Sequence, residues 1–367
     1  MKLFSCTGCG QRVFFENTQC TQCGAFLGFV PEQLELLAFE PVDDHAWRPL
    51  GQQGLTQLRY RPCSNYQHQS VCNWMLPADE PQDFCVACRL NRTIPDLSQP
   101  QNRGFWLSLE SEKRRLIYSL LQLGLPLRPR SLDPNGLEFD FLQDIEPTFS
   151  ETGRVLTGHA AGLITLNIAE ADPVRREKMR HRMAEPYRTL LGHFRHESGH
   201  YYWDRLIRDS QWLFAFRECF GDERQDYATA LETYYAQGAC DDWQQQHVSA
   251  YASAHPWEDW AETWAHYLHI LDTLETAGQF GLTLQASSSD IESVHLDQRF
   301  NPALEASFDA RIQAWLPLSV ALNSLNQSMG HPQAYPFVLA PAVIEKLRLV
   351  HQVIVAQSLP SFSEAFL

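Results

Sequence analysis

"HFRHESGHYY", His193 to Tyr202, holds three histidines in ten residues, and two of them bracket a glutamate as H-E-x-x-H: His196, Glu197 and His200. On an α-helix, residues four apart lie one turn apart on the same face, so His196 and His200 project together. Two imidazoles at that spacing grip one zinc ion, and Glu197 between them lies beside a metal water that it can deprotonate. The competing reading is a surface helix with solvated histidines. What decides between them is a third protein ligand, because a catalytic zinc takes three and keeps one position open.

Such a ligand is offered by "SAYASAHPWEDWAETWAHYLHILDTLETA", Ser249 to Ala277. Pro256 suits the first position of a helix, after which Glu258, Glu262 and His266 fall on one face at four-residue steps. Trp257, Trp260, Trp264, Leu268 and Leu271 supply a packing side. An acidic stripe beside so much aromatic surface is costly to bury without a cation, and a metal is one such cation. Spacing alone leaves two arrangements open: Glu258 as the ligand, or Glu262 as the ligand with His266 one turn on as its support.

The first quarter of the chain carries eight cysteines. Cys6, Cys9, Cys20 and Cys23 form two C-x2-C knuckles, each pointing two thiolates at one ion, and together they complete a tetrahedral four-thiolate site. The segment is too short to fold on its own apolar area, so the metal supplies its folding energy. Cys63, Cys72, Cys85 and Cys88 form a second, less regular set in which only "CVAC" is a clean knuckle. Four thiolates leave no open coordination position, so both sites are expected to be structural, with zinc or iron. Cys219 and Cys240 stand apart as packing residues.

With 367 residues, 44% of them apolar, the chain is long enough for two or three domains and a large core. The formal charge of −15 argues against a general nucleic-acid binder and against docking on an anionic membrane. The basic run "RREKMRHR" (Arg175 to Arg182) reads as the solvated face of a helix. The opening "MKLFSCTGCGQRVFF" has no apolar core of a signal peptide, and no stretch approaches the ~18 apolar residues of a membrane span. A cytoplasmic protein is expected, in which cysteines stay as thiols open to metals.

Composition shifts after "LNRTIPDLSQPQNRG", which suggests modules at 1–50 and 51–105 and a main domain at 106–367. "SEKRRLIYSLLQLG" predicts an amphipathic helix from Ser111 stopped by Gly124 and Pro126, and the alternation in "GLITLNIAEAD" predicts a strand. Pro173 opens a long helical stretch leading into the histidine segment.

The pair "HESGH" and "YASAHPWEDWAE" resembles a gluzincin metallopeptidase, in particular the catalytic domain of anthrax lethal factor, where a tyrosine precedes the glutamate ligand by the interval from Tyr251 to Glu258. Over nearly its full length, including "FGDERQDYATALETYY" and "YPFVLAPAVIEKLRLVH", the chain is similar to a bacterial family of zinc-binding metallopeptidases with an N-terminal zinc ribbon. The resemblance implies an α+β fold: a predominantly helical zincin-like metallopeptidase domain, with a small sheet against the active-site helix, preceded by small zinc-ribbon-type modules. It implies His196, His200 and Glu258 as ligands, Glu197 as general base and Tyr251 as an oxyanion donor. Glu262, His266 and, one turn beyond His200, Asp204 then become candidates for orienting a ligand, and His193 a satisfied histidine near the site. The expected cofactors are one catalytic and two structural zinc ions, and the expected partner a peptide or protein substrate, with the ribbons free to meet a protein. The alternative is a non-enzymatic regulator on the same scaffold, which needs neither Glu197 nor Tyr251.

Overall fold

The structure, a computed structural model, describes residues 2–43, 45–51, 57–144, 155, 157–182, 187–285, 294–301 and 307–357. Its contacts divide the chain into two compact units, broadly residues 2–176 and 177–359.

In the first unit, β1 (Phe4–Ser5) and β2 (Arg12–Val13) form a hairpin that carries the first cysteine pair. An antiparallel meander follows: β3 (Phe26–Val30), β4 (Glu35–Pro41), β5 (Trp47–Pro49) and β6 (Tyr60–Pro62), then, after the short α1 (Ser64–Gln67), β7 (Met75–Pro77). A bridge between Phe29 and Trp74 brings the end of the meander back against β3. Strands on both sides of residue 50 therefore share one sheet. Phe15 packs edge-on to Trp74 and Tyr118, and Phe29 edge-on to Tyr118 and tilted against Trp74, all but Phe15 with 0% exposure.

Next come β8 (Asn91–Thr93), α2 (Pro100–Gln122), β9 (Glu138–Leu142), β10 (Gly158–Ala160) and β11 (Leu163–Asn167), the strands in the order β10-β11-β9-β8. The alternation read in the sequence is seen in β11, where Ile164 and Leu166 are buried and their neighbours are not. Helix α2 begins at Pro100, eleven residues before the expected start at Ser111, because Pro100 takes the first position and the turn through Gly104 continues helically. Its buried Lys113 pairs with Glu110 and lies 5.5 Å over the rings of both Phe139 and Phe141.

The expected continuous helix from Pro173 is two helices. α3 (Pro173–Arg182) ends before a stretch that includes Pro186 and lies partly outside the described residues, and α4 (Leu190–Leu206) starts afresh where Thr189 Oγ1 accepts from Gly192 N at 3.0 Å. The second unit continues with α5 (Leu213–Phe220), α6 (Tyr227–Gln237), α7 (Pro256–Gln279), the two-residue strands β12 (Thr283–Leu284) and β13 (Val294–His295), α8 (Phe308–Ser328) and α9 (Pro341–Gln357). Among the described residues it is thus helical apart from one short strand pair, and the four-stranded sheet belongs to the other unit.

Helix α7 is the centre of this unit: Trp260, Trp264, Leu268 and Leu274 have no exposure at all. It crosses α4 where Gly199 faces Ala261. A Cβ on Gly199 would sit 2.8 Å from Ala261 Cα and 3.2 Å from Trp264 Cβ, so only glycine permits this approach. Two indoles fix the register: Trp260 Nε1 donates to Gly199 O at 3.0 Å and Trp264 Nε1 to Ser198 Oγ at 3.1 Å. A methyl at position 199 has backbone and buried tryptophan in its way. Gly199→Ala is therefore expected to cost about 1–3 kcal/mol by overpacking, seen as a fall in Tm of roughly 2–10 °C in a melt at fixed zinc concentration. An unchanged Tm would show that the helices can separate freely.

Candidate metal centres

The two cysteine sets gather as their spacing predicts. Cys6, Cys9, Cys20 and Cys23 converge, as do Cys63, Cys72, Cys85 and Cys88. In the first, each knuckle is turned by a glycine with positive φ, Gly10 at 78° and Gly24 at 74°, whose amides donate to Cys6 O and Cys20 O. Sulfurs lie 3.7 Å apart for Cys6 and Cys23, 3.6 Å for Cys9 and Cys20, and 3.8 Å for Cys72 and Cys85. Four sulfurs at ~2.3 Å from a tetrahedral zinc are about 3.8 Å apart, so the spacing suits zinc–thiolate coordination and not a disulfide. In the second set, amides of Trp74 and Cys85 point at the sulfurs of Cys72 and Cys63, at 3.4 and 3.3 Å. The eight residues between Cys63 and Cys72, which blur this set in the sequence, hold α1.

The third group lies on the α4–α7 crossing. His196, His200 and Glu258 are brought together. The two Nε2 atoms are 3.2 Å apart, and Glu258 Oε2 stands 3.0 Å from that of His196 and 3.4 Å from that of His200. Ligands at ~2.0–2.1 Å from a tetrahedral zinc are about 3.3 Å apart, so this triangle has the edges of one face of such a site. Glu258 is 1% exposed, which makes its ionised form costly without a cation close by. Burial works to raise its pKa, yet the charges and hydrogen bonds of His200 and His196 outweigh it and hold Glu258 well below the carboxylate range. Burial likewise opposes charge on His196, but hydrogen bonds with Glu258 and Glu262 raise it well above the imidazole range. The charge on His196 thus lies between the buried Glu258 and the half-buried Glu262. The donor set fits zinc.

Spacing could not separate Glu258 from Glu262; the structure separates their surroundings. Glu262 turns to the far side of the imidazole, its Oε1 2.7 Å from His196 Nδ1 and its Oε2 accepting from Ser249 Oγ at 2.6 Å. Burial opposes that ion too, but the hydrogen bond with His196 brings Glu262 down to about 2. His266 departs from expectation. Its Nδ1 meets Tyr335 Oη at 2.8 Å, and its ring packs against Phe337 because the helix has turned that face into an aromatic pocket. It bonds to neither His196 nor His200, and burial lowers it to about 4. Asp204 is paired with Arg208 at 2.5 Å. His193 is not in the triangle.

Glu197 is buried beside the histidines, and burial pushes its carboxyl above the usual range. Its Oε2 has no hydrogen-bond partner among the described residues. Tyr251 opens a single 3-10 turn, Tyr251–Ala254, with its ring 6.0 Å from that of His196. Burial and the charge of Glu258 keep its phenol protonated far past neutrality.

A model of the family described as "Putative zinc-binding metallo-peptidase" matches residues 102–353, and one described as "zinc-ribbon domain" matches residues 3–99. The chain belongs to this zinc-binding metallopeptidase family. Relatives in Mycobacterium tuberculosis and in Mycobacterium bovis, each named an uncharacterized protein, are 44% identical over 368 residues, covering 100% of this chain and 98% of theirs. No solved structure matches, so the likeness to lethal factor rests on the two helices and the tyrosine interval alone. No helix among the described residues is long and apolar enough to cross a membrane.

Several residues around the candidate site escaped the sequence reading. Tyr227 Oη donates to Glu258 Oε1 at 2.5 Å, and Ser249 ties Glu262 to the tyrosine loop. His247 joins a buried knot in which Lys346 Nζ donates to Asp259 Oδ2 at 2.6 Å and to Gln246 O, while His247 Nδ1 lies 3.1 Å from the same carboxylate oxygen. The knot pins the start of the loop that carries Ser249 and Tyr251. Lys346→Met leaves Asp259 buried with His247 as its remaining partner, an expected loss of about 3–5 kcal/mol in urea denaturation. Replacing both, Lys346→Met with Asp259→Leu, should recover most of it; a double variant no more stable than the single one would contradict this account of the knot.

Proposed function

We propose that the protein is a zinc-dependent peptidase, cytoplasmic, acting on peptide or protein substrates, with His196, His200 and Glu258 holding the catalytic ion and the two four-cysteine sets holding structural ions. The observation that carries this reading is the triangle of donor atoms with zinc-like edges beside a buried carboxylate, Glu197, that has an oxygen to spare. The segments read from composition, 1–50, 51–105 and 106–367, each carry one of the three clusters, with the first two joined by the sheet β3 to β7.

When bound, zinc supplies Lewis acidity that polarises a carbonyl and makes a water acidic near neutral pH. The chain's own residues do the rest. Glu197, held above the carboxylate range by burial, accepts a proton from the attacking water through its unpartnered oxygen and passes it to the leaving amine. Tyr251 stays a phenol and donates to the oxygen on which negative charge develops. Glu262 fixes the ring orientation of His196 through Nδ1, leaving Nε2 as the donor atom. Nothing so arranged is needed by a scaffold that only binds.

Glu197→Gln should retain zinc and lose at least ~10²-fold in peptide hydrolysis, as for loss of a general base. Tyr251→Phe should also retain zinc and slow turnover by about 10²–10³-fold. Turnover unchanged in Glu197→Gln would sink the mechanism, and a zinc-replete protein inactive on a broad peptide library would favour a non-enzymatic regulator. In zinc titrations, Glu258→Ala should abolish tight binding of one ion of the three implied by the clusters, whereas Glu262→Ala should weaken it by only about 10–100-fold. The reverse order would make Glu262 the ligand.

A further inference from the structure

The carboxylate of Glu258 faces two ways. Its Oε2 looks into the histidine triangle, and its Oε1 accepts a hydrogen bond from Tyr227 Oη. Tyr227 is the first residue of α6, directly after Asp226, whose Oδ1 caps the helix by accepting from Thr229 N at 2.7 Å. Helix α6 is eleven residues long, and none of them is buried. Two glycines with positive φ bracket the segment, Gly221 at 100° and Gly238 at 79°. Its attachments run to the candidate site itself. The Tyr227 ring stands edge-on to His255 at 5.2 Å and to Trp257 at 5.7 Å, and Tyr234 stands edge-on to Tyr251 at 5.7 Å.

A helix that buries no residue has little apolar burial to hold it, and segments of that kind open locally at low free-energy cost. A hydrogen bond to an ionised carboxylate is then a large share of what seats it. We propose that Tyr227 is a positioning residue that couples metal binding at His196, His200 and Glu258 to the seating of α6 beside Tyr251. This rests on the zinc-site reading above. Coupling of this kind runs both ways. A Glu258 fixed by a cation is a fixed acceptor for Tyr227, and a seated α6 holds Glu258 in the rotamer that presents Oε2 to the histidines. The bond also keeps Oε1 engaged, so that the carboxylate offers one oxygen and not two. Because α6 carries Tyr234 against Tyr251, the metal and the proposed oxyanion donor are linked through one short helix.

The test compares full-length protein with Tyr227→Phe, which removes the hydroxyl and keeps the ring against His255 and Trp257. Zinc affinity of the histidine site is read by competition with a chromophoric chelator, with the cysteine sites loaded throughout. Hydrogen exchange of the α6 amides is followed with that site filled and emptied. The expected results are a ten- to hundredfold weaker site in Tyr227→Phe, and α6 exchange that zinc slows in the parent but not in the variant. Unchanged affinity in Tyr227→Phe, or parent α6 exchange indifferent to zinc, overturns the coupling. Glu258→Ala, measured alongside, separates the two ideas. If it loses the ion while Tyr227→Phe does not, the zinc site stands and the coupling falls; if the parent binds no zinc there, both fall.

Discussion

The second unit depends on how closely two helices can approach. At Gly199 the α4 backbone comes so near to Ala261 that a single methyl group would collide with main chain. That approach brings His196 and His200, on one helix, within hydrogen-bond distance of Glu258 and Glu262 on the other. A wider crossing would leave the same four side chains as separate polar groups buried at a cost. The indoles of Trp260 and Trp264 donate across the gap, so that the contact is held in rotation as well as in distance.

The charges follow from that crossing. The buried Glu258 and the half-buried Glu262 flank His196, raise it well above the imidazole range and are themselves held low by it. The same demand for a cation that burial imposes on Glu258 is what makes the group suitable for zinc. Around it, polar contacts hold the parts of the site that helices cannot: Ser249 on Glu262, Lys346 and His247 on Asp259, Tyr227 on Glu258. The cysteine clusters work by a different principle, with short knuckles and left-handed glycines doing locally what α4 and α7 do over a long span.

Much of this was legible in the sequence because local periodicity encodes it. The four-residue step puts His196 and His200 on one face, Pro256 marks the start of α7, and C-x2-C spacing predicts converging thiols. Helix α2 starts earlier than the periodicity predicts because a proline and a glycine in "QPQNRG" argue locally against a helix, although Pro100 sits in the first turn, where a helix tolerates it. The helix before the histidines was read as unbroken because its polar run gives no stop signal before Pro186. Glu258 and Glu262 could not be told apart by spacing, since both lie on the stripe and only the crossing decides which oxygen meets Nε2. Tyr227 and Lys346 left no signal at all: their partners are 31 and 87 residues away, and no periodicity spans such a distance.

The central claim, that the α4–α7 crossing builds a zinc centre, is tested most directly by diffraction data collected across the zinc absorption edge. The account predicts an anomalous peak about 2.0–2.1 Å from Nε2 of His196, Nε2 of His200 and Oε2 of Glu258, in addition to one within each four-cysteine cluster. Crystals with both cysteine clusters filled and no peak between the histidines, or a peak coordinated by Glu262 in place of Glu258, would contradict it.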